Sequence, residues 1–211
     1  MFSEFAKVSS ATWGVIVALL LVGIVVFAVS KDRKRWTARM LANGALCIAL
    51  STVLSFITLY KMPQGGSITL ASMLPMFLFA YAYGVGPGML VGAAYGFVQF
   101  LQGGLYFVHP VELLLDYPLA FAMLGLAGLS NKFSDQWGMI PGIILGTFGR
   151  FVCAFLSGLI FFGMYAPEGQ NVVIYSMVYN GLYLVPEAII CIVLAMIPQI
   201  RQLAKRVALQ D

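Results

Sequence analysis

The chain has 211 residues, 61% of them hydrophobic and only 9% charged, with a mean hydropathy of +0.94 and a formal net charge of +4. So little charge excludes a soluble domain of this size and implies a polytopic helical membrane protein, with no length left over for a separate soluble domain. The basic excess does not imply a nucleic-acid partner. It gathers at Lys31, Arg33, Lys34, Arg35 and Arg39, at Lys132, and at Arg201, Lys205 and Arg206, the loops and tail on one side of a bundle, which is the positive-inside pattern of topology.

Taken in chain order, the hydrophobic runs predict seven spans of roughly 20 residues. The first covers residues 12–30 and stops at the basic cluster; it lacks a basic n-region, so it reads as a retained anchor and not a cleaved signal peptide. The second covers 39–60 and leads into the Gly-rich outer loop Lys61 to Ser67. The third (68–85) and fourth (87–103) join at a tight turn, Gly84-Val-Gly-Pro-Gly88. The fifth covers 111–129, the sixth 139–164 and the seventh 172–200. This order places the N-terminus outside and the C-terminus in the cytoplasm, as a multi-pass protein of the bacterial plasma membrane. The fold class expected is an all-α integral membrane bundle.

Gly84, Gly88, Gly92 and Gly96 recur every four residues, a spacing that lets two helices approach closely in lipid, here as internal packing. Ala45 and Ala49 form a weaker pair of the same kind on the second span. Cys47, Cys153 and Cys191 all fall in apolar runs and read as packing residues; they have neither metal-ligand spacing nor a disulfide framework.

Four ionisable residues lie within spans: Glu112, Asp116, Arg150 and Glu187. Ionisable groups at membrane depth face the bundle interior and mark pathways or ligand sites. Glu112 and Asp116 share one helical face. Glu112 is expected at the outer rim, whereas Asp116 lies on the order of 9 Å into its helix, too deep for so short a side chain to reach water. Arg150, near the middle of its span, is expected to form a structural ion pair with one of the acids or to contact backbone carbonyls. On the seventh span Tyr175, Tyr179, Tyr183 and Glu187 are spaced by four, with Asn180 beside Tyr183. Tyr95, Tyr106, Tyr117, Phe161 and Phe162 add rings at comparable depth.

Together these residues describe an outer-half cavity with aromatic walls, a carboxylate and an amide. Aromatic faces attract a cation, a carboxylate pairs with it, and an amide reads a donor or acceptor edge. A flat, cationic, hydrogen-bonding small molecule fits that chemistry. Catalysis is not indicated: His109 stands before Pro110 at a helix start, and no metalloprotease, nucleophile-elbow or Walker pattern occurs. Energy for uphill movement must come from another chain's ATP hydrolysis or from an ion gradient. On the second possibility the chain is an autonomous proton-coupled transporter using Glu112, Asp116 and Glu187.

The stretches Met62-Pro-Gln-Gly-Gly-Ser67, Gly84 to Gly96 with Val98-Gln99, His109-Pro-Val-Glu-Leu-Leu-Leu-Asp-Tyr117 with Ala120-Phe121, Arg150 with Ser157-Gly158 and Phe161-Phe162-Gly163, and Ala166-Pro167 with Gly169, Tyr175-Ser176 and Tyr179-Asn180 carry a family resemblance. From about Thr37 onward the chain resembles the thiamine-specific S component of energy-coupling factor (ECF) vitamin transporters. The resemblance implies a six-helix substrate-binding membrane domain over residues 37–211, preceded by an extra transmembrane helix and basic loop over 1–36. It implies thiamine as transported ligand and no cofactor, with a transmembrane coupling subunit and two ATP-binding subunits as partners. Carried over residue by residue, ligand contacts fall on Asp116, Tyr117, Tyr175, Asn180 and Phe162, with Tyr106 and Tyr95 as further rings. Met62, Pro63, Gln64, Gly65, Gly66 and Ser67 form the lid loop, and Ala45 and Ala49 contact the coupling subunit.

Three departures stand out. A pocket histidine of the family, four residues after the arginine, is Ala154 here, which leaves a related pyrimidine or thiazole as the alternative ligand. Aromatic positions often held by Trp are Tyr or Phe, with Trp13, Trp36 and Trp137 away from the pocket. The first span is additional. On an ideal helical wheel, Tyr175 and Asn180 diverge by roughly 140°, so both reach one ligand only if the site wraps that helix end or if Tyr175 precedes regular helix.

Overall fold

The structure is a computed structural model that describes residues 36–103, 109–132 and 138–209. The expected span at 12–30, most of the first basic cluster, and Tyr106 lie outside the described residues.

Helix α1 (Ala38–Phe56) begins where Thr37, in extended conformation, accepts a hydrogen bond on Oγ1 from Met40 N at 3.1 Å, which satisfies one of the first-turn donors. It was expected to run to residue 60. Instead it ends at Phe56, and the chain turns into strand β1 (Thr58–Lys61), antiparallel to β2 (Ser67–Thr69). Gly65 and Gly66, at φ 94° and 78°, form the tip, a backbone conformation that side chains with a Cβ avoid.

The expected third span is shorter than the sequence suggested. Part of it is strand β2, and Ala71 turns with φ 59°. Helix α2 covers only Leu74–Tyr83, about 15 Å at 1.5 Å per residue, which is half a hydrocarbon layer. Almost every side chain on it is buried, as an all-round apolar helix in a bundle centre requires. Gly84, at φ 94°, reverses the chain directly into α3 (Val85–Gln102).

The next span, α4 (Pro110–Asn131), is not uniform. It opens as α-helix over Pro110–Leu114, passes through a π-helical turn over Leu115–Leu119, resumes as α-helix over Ala120–Ala122 and tightens to 3-10 geometry over Met123–Lys132. Pro118 sits inside the π turn. It has no N–H to give the carbonyl four residues back, and its ring crowds that carbonyl, so the chain widens there. His109 caps the helix. Its Nδ1 accepts from Val111 N at 3.1 Å while Glu112 Oε2 accepts from His109 N at 3.0 Å, a reciprocal arrangement that satisfies two end donors.

Helices α5 (Met139–Phe161) and α6 (Val172–Ala195) follow, and α7 (Pro198–Leu209) completes the described chain. Among the described residues, four helices, α1, α4, α5 and α6, are long and apolar enough to cross a membrane. The glycine stripe of α3 packs internally, as its spacing predicts. A Cβ at Gly92 would overlap the Phe121 carbonyl, one at Gly96 the Tyr117 carbonyl, and one at Gly88 the Ala80 side chain. Backbone thus meets backbone between α3 and α4. Cys153 and Cys191 are buried and Cys47 is half-buried, all three free.

Candidate ligand cavity

One end of the bundle encloses a cavity of about 750 Å³ between the hairpin, α1, α3, α4, α5 and α6, a size ordinary for small-molecule sites. Asp116, Tyr117, Tyr175, Asn180 and Phe162 all line it, so five of the seven expected ligand residues converge from three separate spans. The π turn of α4 is what presents Asp116 and Tyr117 together.

Asp116 Oδ2 accepts a hydrogen bond from Ser157 Oγ at 2.7 Å, which leaves its other oxygen open to accept. Asn180 Nδ2 donates to Ser176 O at 2.9 Å and to Ala154 O at 3.2 Å, while its Oδ1 accepts from Tyr183 OH at 2.9 Å. Carbonyl oxygens can only accept, so the amide nitrogen must face them. Asn180 therefore offers the cavity an acceptor and no donor. The Tyr117 ring stands edge-on to Phe100, with centroids 5.4 Å apart, and the Tyr175 ring is tilted against Tyr179 at 5.8 Å. Helix α6 is regular from Val172 onward, so Tyr175 does not precede it; the cavity wraps the helix end to reach both Tyr175 and Asn180.

The hairpin closes one wall. Pro63, Gln64, Gly65, Gly66 and Ser67 line the cavity, while Met62 is buried with Ala154, Tyr183 and Leu184. The stripe along α6 holds it at three levels. Tyr179 OH accepts from Gln64 N at 2.9 Å and donates to Gly65 O at 2.7 Å. The Tyr183 ring lies directly beneath Gly66, where a Cβ would come within 2.9 Å of it. Deeper, Glu187 Oε1 accepts from Thr69 Oγ1 at 2.6 Å and Ser72 Oγ at 2.8 Å. Replacing Tyr179 by Phe removes both tip hydrogen bonds. At roughly 0.5–1.5 kcal/mol each, the expected result is about tenfold faster release of bound ligand, read by isotope-chase dissociation; an unchanged rate would remove the tyrosine from any part in closure.

Several expected residues are placed differently. Tyr95 does not line the cavity. It is fully buried, its ring edge-on to Phe121 and its hydroxyl donating to Ser51 O at 3.1 Å while accepting from Gln99 Nε2. The reason is geometric: Tyr95 lies beside the glycine face of α3, which is pressed into the core. Glu112 is not a rim residue; it is 4% exposed, with one oxygen engaged in the helix cap. Arg150 lines the cavity, but its guanidinium lies 4.0 Å over the Phe121 ring, and the expected structural ion pair with Glu112, Asp116 or Glu187 is not formed. Ala45 and Ala49 are both exposed on α1.

Sequence reasoning quoted Ser157 only within the family resemblance and Tyr179 only within the aromatic stripe, and gave Ser157 no hydrogen bond to Asp116 and Tyr179 no hold on the lid loop. Both signals were present: Ser157 is seven residues after Arg150 and so on its face of α5, and Tyr179 belongs to the stripe already noted.

The sequence profile of the family described as "Thiamine transporter protein" matches residues 41–207. The chain belongs to the thiamine transporter family. Among curated relatives, "Thiamine transporter ThiT" of Bacillus subtilis is 36% identical over 160 residues, covering 70% of this chain and 83% of that protein. The Lacticaseibacillus paracasei protein of the same name is 32% identical over 123 residues, covering 52% and 61% respectively. The solved structure of ThiT from Listeria monocytogenes superposes with a TM-score of 0.68 at 25% identity, over 80% of this chain and 96% of that one. The resemblance to the thiamine-specific S component is thereby borne out, as is the all-helical membrane fold. Members of this thiamine transporter family are transport proteins and not enzymes, and this chain is a multi-pass membrane protein of that kind.

Proposed function

We propose that the chain is the high-affinity thiamine-binding subunit of an ECF-type, ATP-driven importer, capturing the vitamin outside and delivering it inward with a coupling module. The observation that carries this reading is the convergence of an open carboxylate oxygen on Asp116, an acceptor-only face on Asn180 and the rings of Tyr117, Phe162 and Tyr175 on one cavity. Thiamine joins a thiazolium cation to an aminopyrimidine bearing an exocyclic amine. Acceptors meet the amine and the charge, and aromatic faces meet the flat cationic ring. The names of the relatives support the same ligand.

The hairpin serves as the lid, with the N-terminus outside and the C-terminus cytoplasmic. The exposed pair Ala45 and Ala49 supports α1 as the face that meets the transmembrane coupling subunit, since small side chains permit close helix approach. Two ATP-binding subunits complete the assembly.

Calorimetry on the purified chain is expected to show saturable, one-to-one thiamine binding; folded protein that binds none would end this reading. Ala154 lines the cavity with only a methyl group, which favours one second reading, a related pyrimidine or thiazole in the same site. A competition panel of the two half-molecules against thiamine separates them. Uptake into liposomes by this chain alone, abolished by a protonophore, would instead establish the autonomous proton-coupled transporter.

A further inference from the structure

The end of the bundle away from the cavity carries charge of one sign. Of the seven basic residues among those described, Lys61 and Arg150 line the cavity. The other five, Arg39, Lys132, Arg201, Lys205 and Arg206, sit at the start of α1, at the end of α4 and on α7. The four described acids lie elsewhere. Glu112 and Asp116 line the cavity, Glu168 falls in the loop between α5 and α6, and Glu187 is buried against Thr69 and Ser72.

Helix α7 starts at Pro198, three residues after α6 ends at Ala195. That is roughly 11 Å of chain at most, so α7 stays at the surface of any bilayer that α6 crosses. Its sides differ. Ile200 and Val207, seven apart and so on one side, pack against the buried cluster around α2, which also holds Met40 from the first turn of α1. On the other side Gln202 and Arg206 are exposed, and beside them Leu203 is 56% exposed. At the start of α1, Trp36 is 41% exposed and Arg39 is exposed. Leucine and arginine side by side suit the boundary between headgroups and acyl chains, where the first reaches hydrocarbon and the second phosphate. Tryptophan settles at the same depth.

We propose that α7, with the first turn of α1, is a binding surface for anionic phospholipid headgroups at this end of the bundle. Arg39, Arg201 and Arg206 take the phosphates, while Trp36 and Leu203 settle among the upper acyl carbons. Guanidinium and phosphate match in charge and in hydrogen-bonding geometry, and basic clusters beside a span draw anionic lipid by charge. The inference is independent of what the cavity binds.

The test follows thermal unfolding of the full-length purified chain in detergent micelles doped with phosphatidylglycerol or, at the same mole fraction and with the same acyl chains, phosphatidylcholine. Phosphatidylglycerol is expected to raise the unfolding midpoint by about 4–8 °C over phosphatidylcholine, the shift that roughly two headgroup-paired basic residues give a chain of this length. High salt is expected to shrink the difference, and Arg201→Gln/Arg206→Gln to lose most of it. Equal midpoints in the two lipids would overturn the proposal, as would a double variant that keeps the full difference. Inorganic phosphate that raises the midpoint as far as phosphatidylglycerol would mark a free-anion site and overturn the lipid assignment. Should the double variant fail to fold, Arg206→Gln at its exposed position and the wild-type salt series decide: a difference that neither reduces overturns the proposal.

Discussion

Asp116→Asn is expected to weaken thiamine binding on the order of 100-fold or more while leaving the fold intact. Asparagine keeps the shape of the side chain, and its carbonyl oxygen can still accept the hydrogen bond that Ser157 Oγ now gives to Asp116 Oδ2 at 2.7 Å. Only the charge, and one acceptor, are lost. Removing one partner of a buried charge pair costs about 2–5 kcal/mol, and the cavity is walled by low-dielectric helices that do little to screen it. Calorimetry on the folded variant checks the size of the loss. An affinity within twofold of wild type would show that the carboxylate does not face the cation, and would move the burden of recognition to Asn180 and the rings.

The second large effect is on stability. Gly92→Leu is expected to prevent assembly of the bundle, and even Gly92→Ala to lower its unfolding temperature. A Cβ at Gly92 would overlap the Phe121 carbonyl and come within 3.2 Å of Ala122 Cα, backbone atoms that cannot turn aside as a side chain can. Overpacking of this kind costs about 1–3 kcal/mol for a small insertion and more for a larger one. The control is Gly181 on α6, where a Cβ would meet nothing within 4 Å. Gly181→Ala is expected to stabilise the helix by about 0.5–1 kcal/mol. Thermal unfolding in detergent, followed by the loss of the monodisperse chromatographic peak, compares the two. If Gly92→Ala proved as stable as Gly181→Ala, the close approach of α3 and α4 would be wrong.

Much of the architecture was legible in the chain. Apolar runs located α1, α4, α5 and α6 to within a few residues, since spanning lipid demands long uninterrupted hydrophobicity. The four-residue glycine spacing announced a tight helix pair, and His109 before Pro110 announced a helix start. The hairpin was not legible. Its strands have four and three residues, too short to show alternation, and the glycines between them look the same in a lid loop or a turn. The half-length of α2 was hidden for a related reason: hydropathy does not distinguish a helix that crosses the bilayer from a short one buried inside the bundle.

At the site, residue type and depth were enough to select Asp116, Tyr117, Tyr175, Asn180 and Phe162. They could not say which neighbours compete for the same groups. Tyr95 has the right chemistry, but its hydroxyl is taken by Ser51 O. Glu187 ends an inviting stripe, but its carboxylate is held by Thr69 and Ser72. Arg150 suggested an ion pair with one of the acids within the spans, but its guanidinium lies over the Phe121 ring instead.

What the sequence by itself determined is the solvent, the place of α1, α4, α5 and α6, and the residue types that gather around the cavity, because hydrophobicity and charge are properties of the chain alone. Only the tertiary structure decided the π turn that carries Asp116 and Tyr117, the clasp between α6 and the hairpin, the acceptor-only face of Asn180 and the seat of the Arg150 guanidinium over the Phe121 ring. Each of these depends on which partner a polar group finds across the bundle, and hydrogen-bond partners more than a hundred residues apart, such as Gln64 with Tyr179 or Thr69 with Glu187, leave no trace in local pattern.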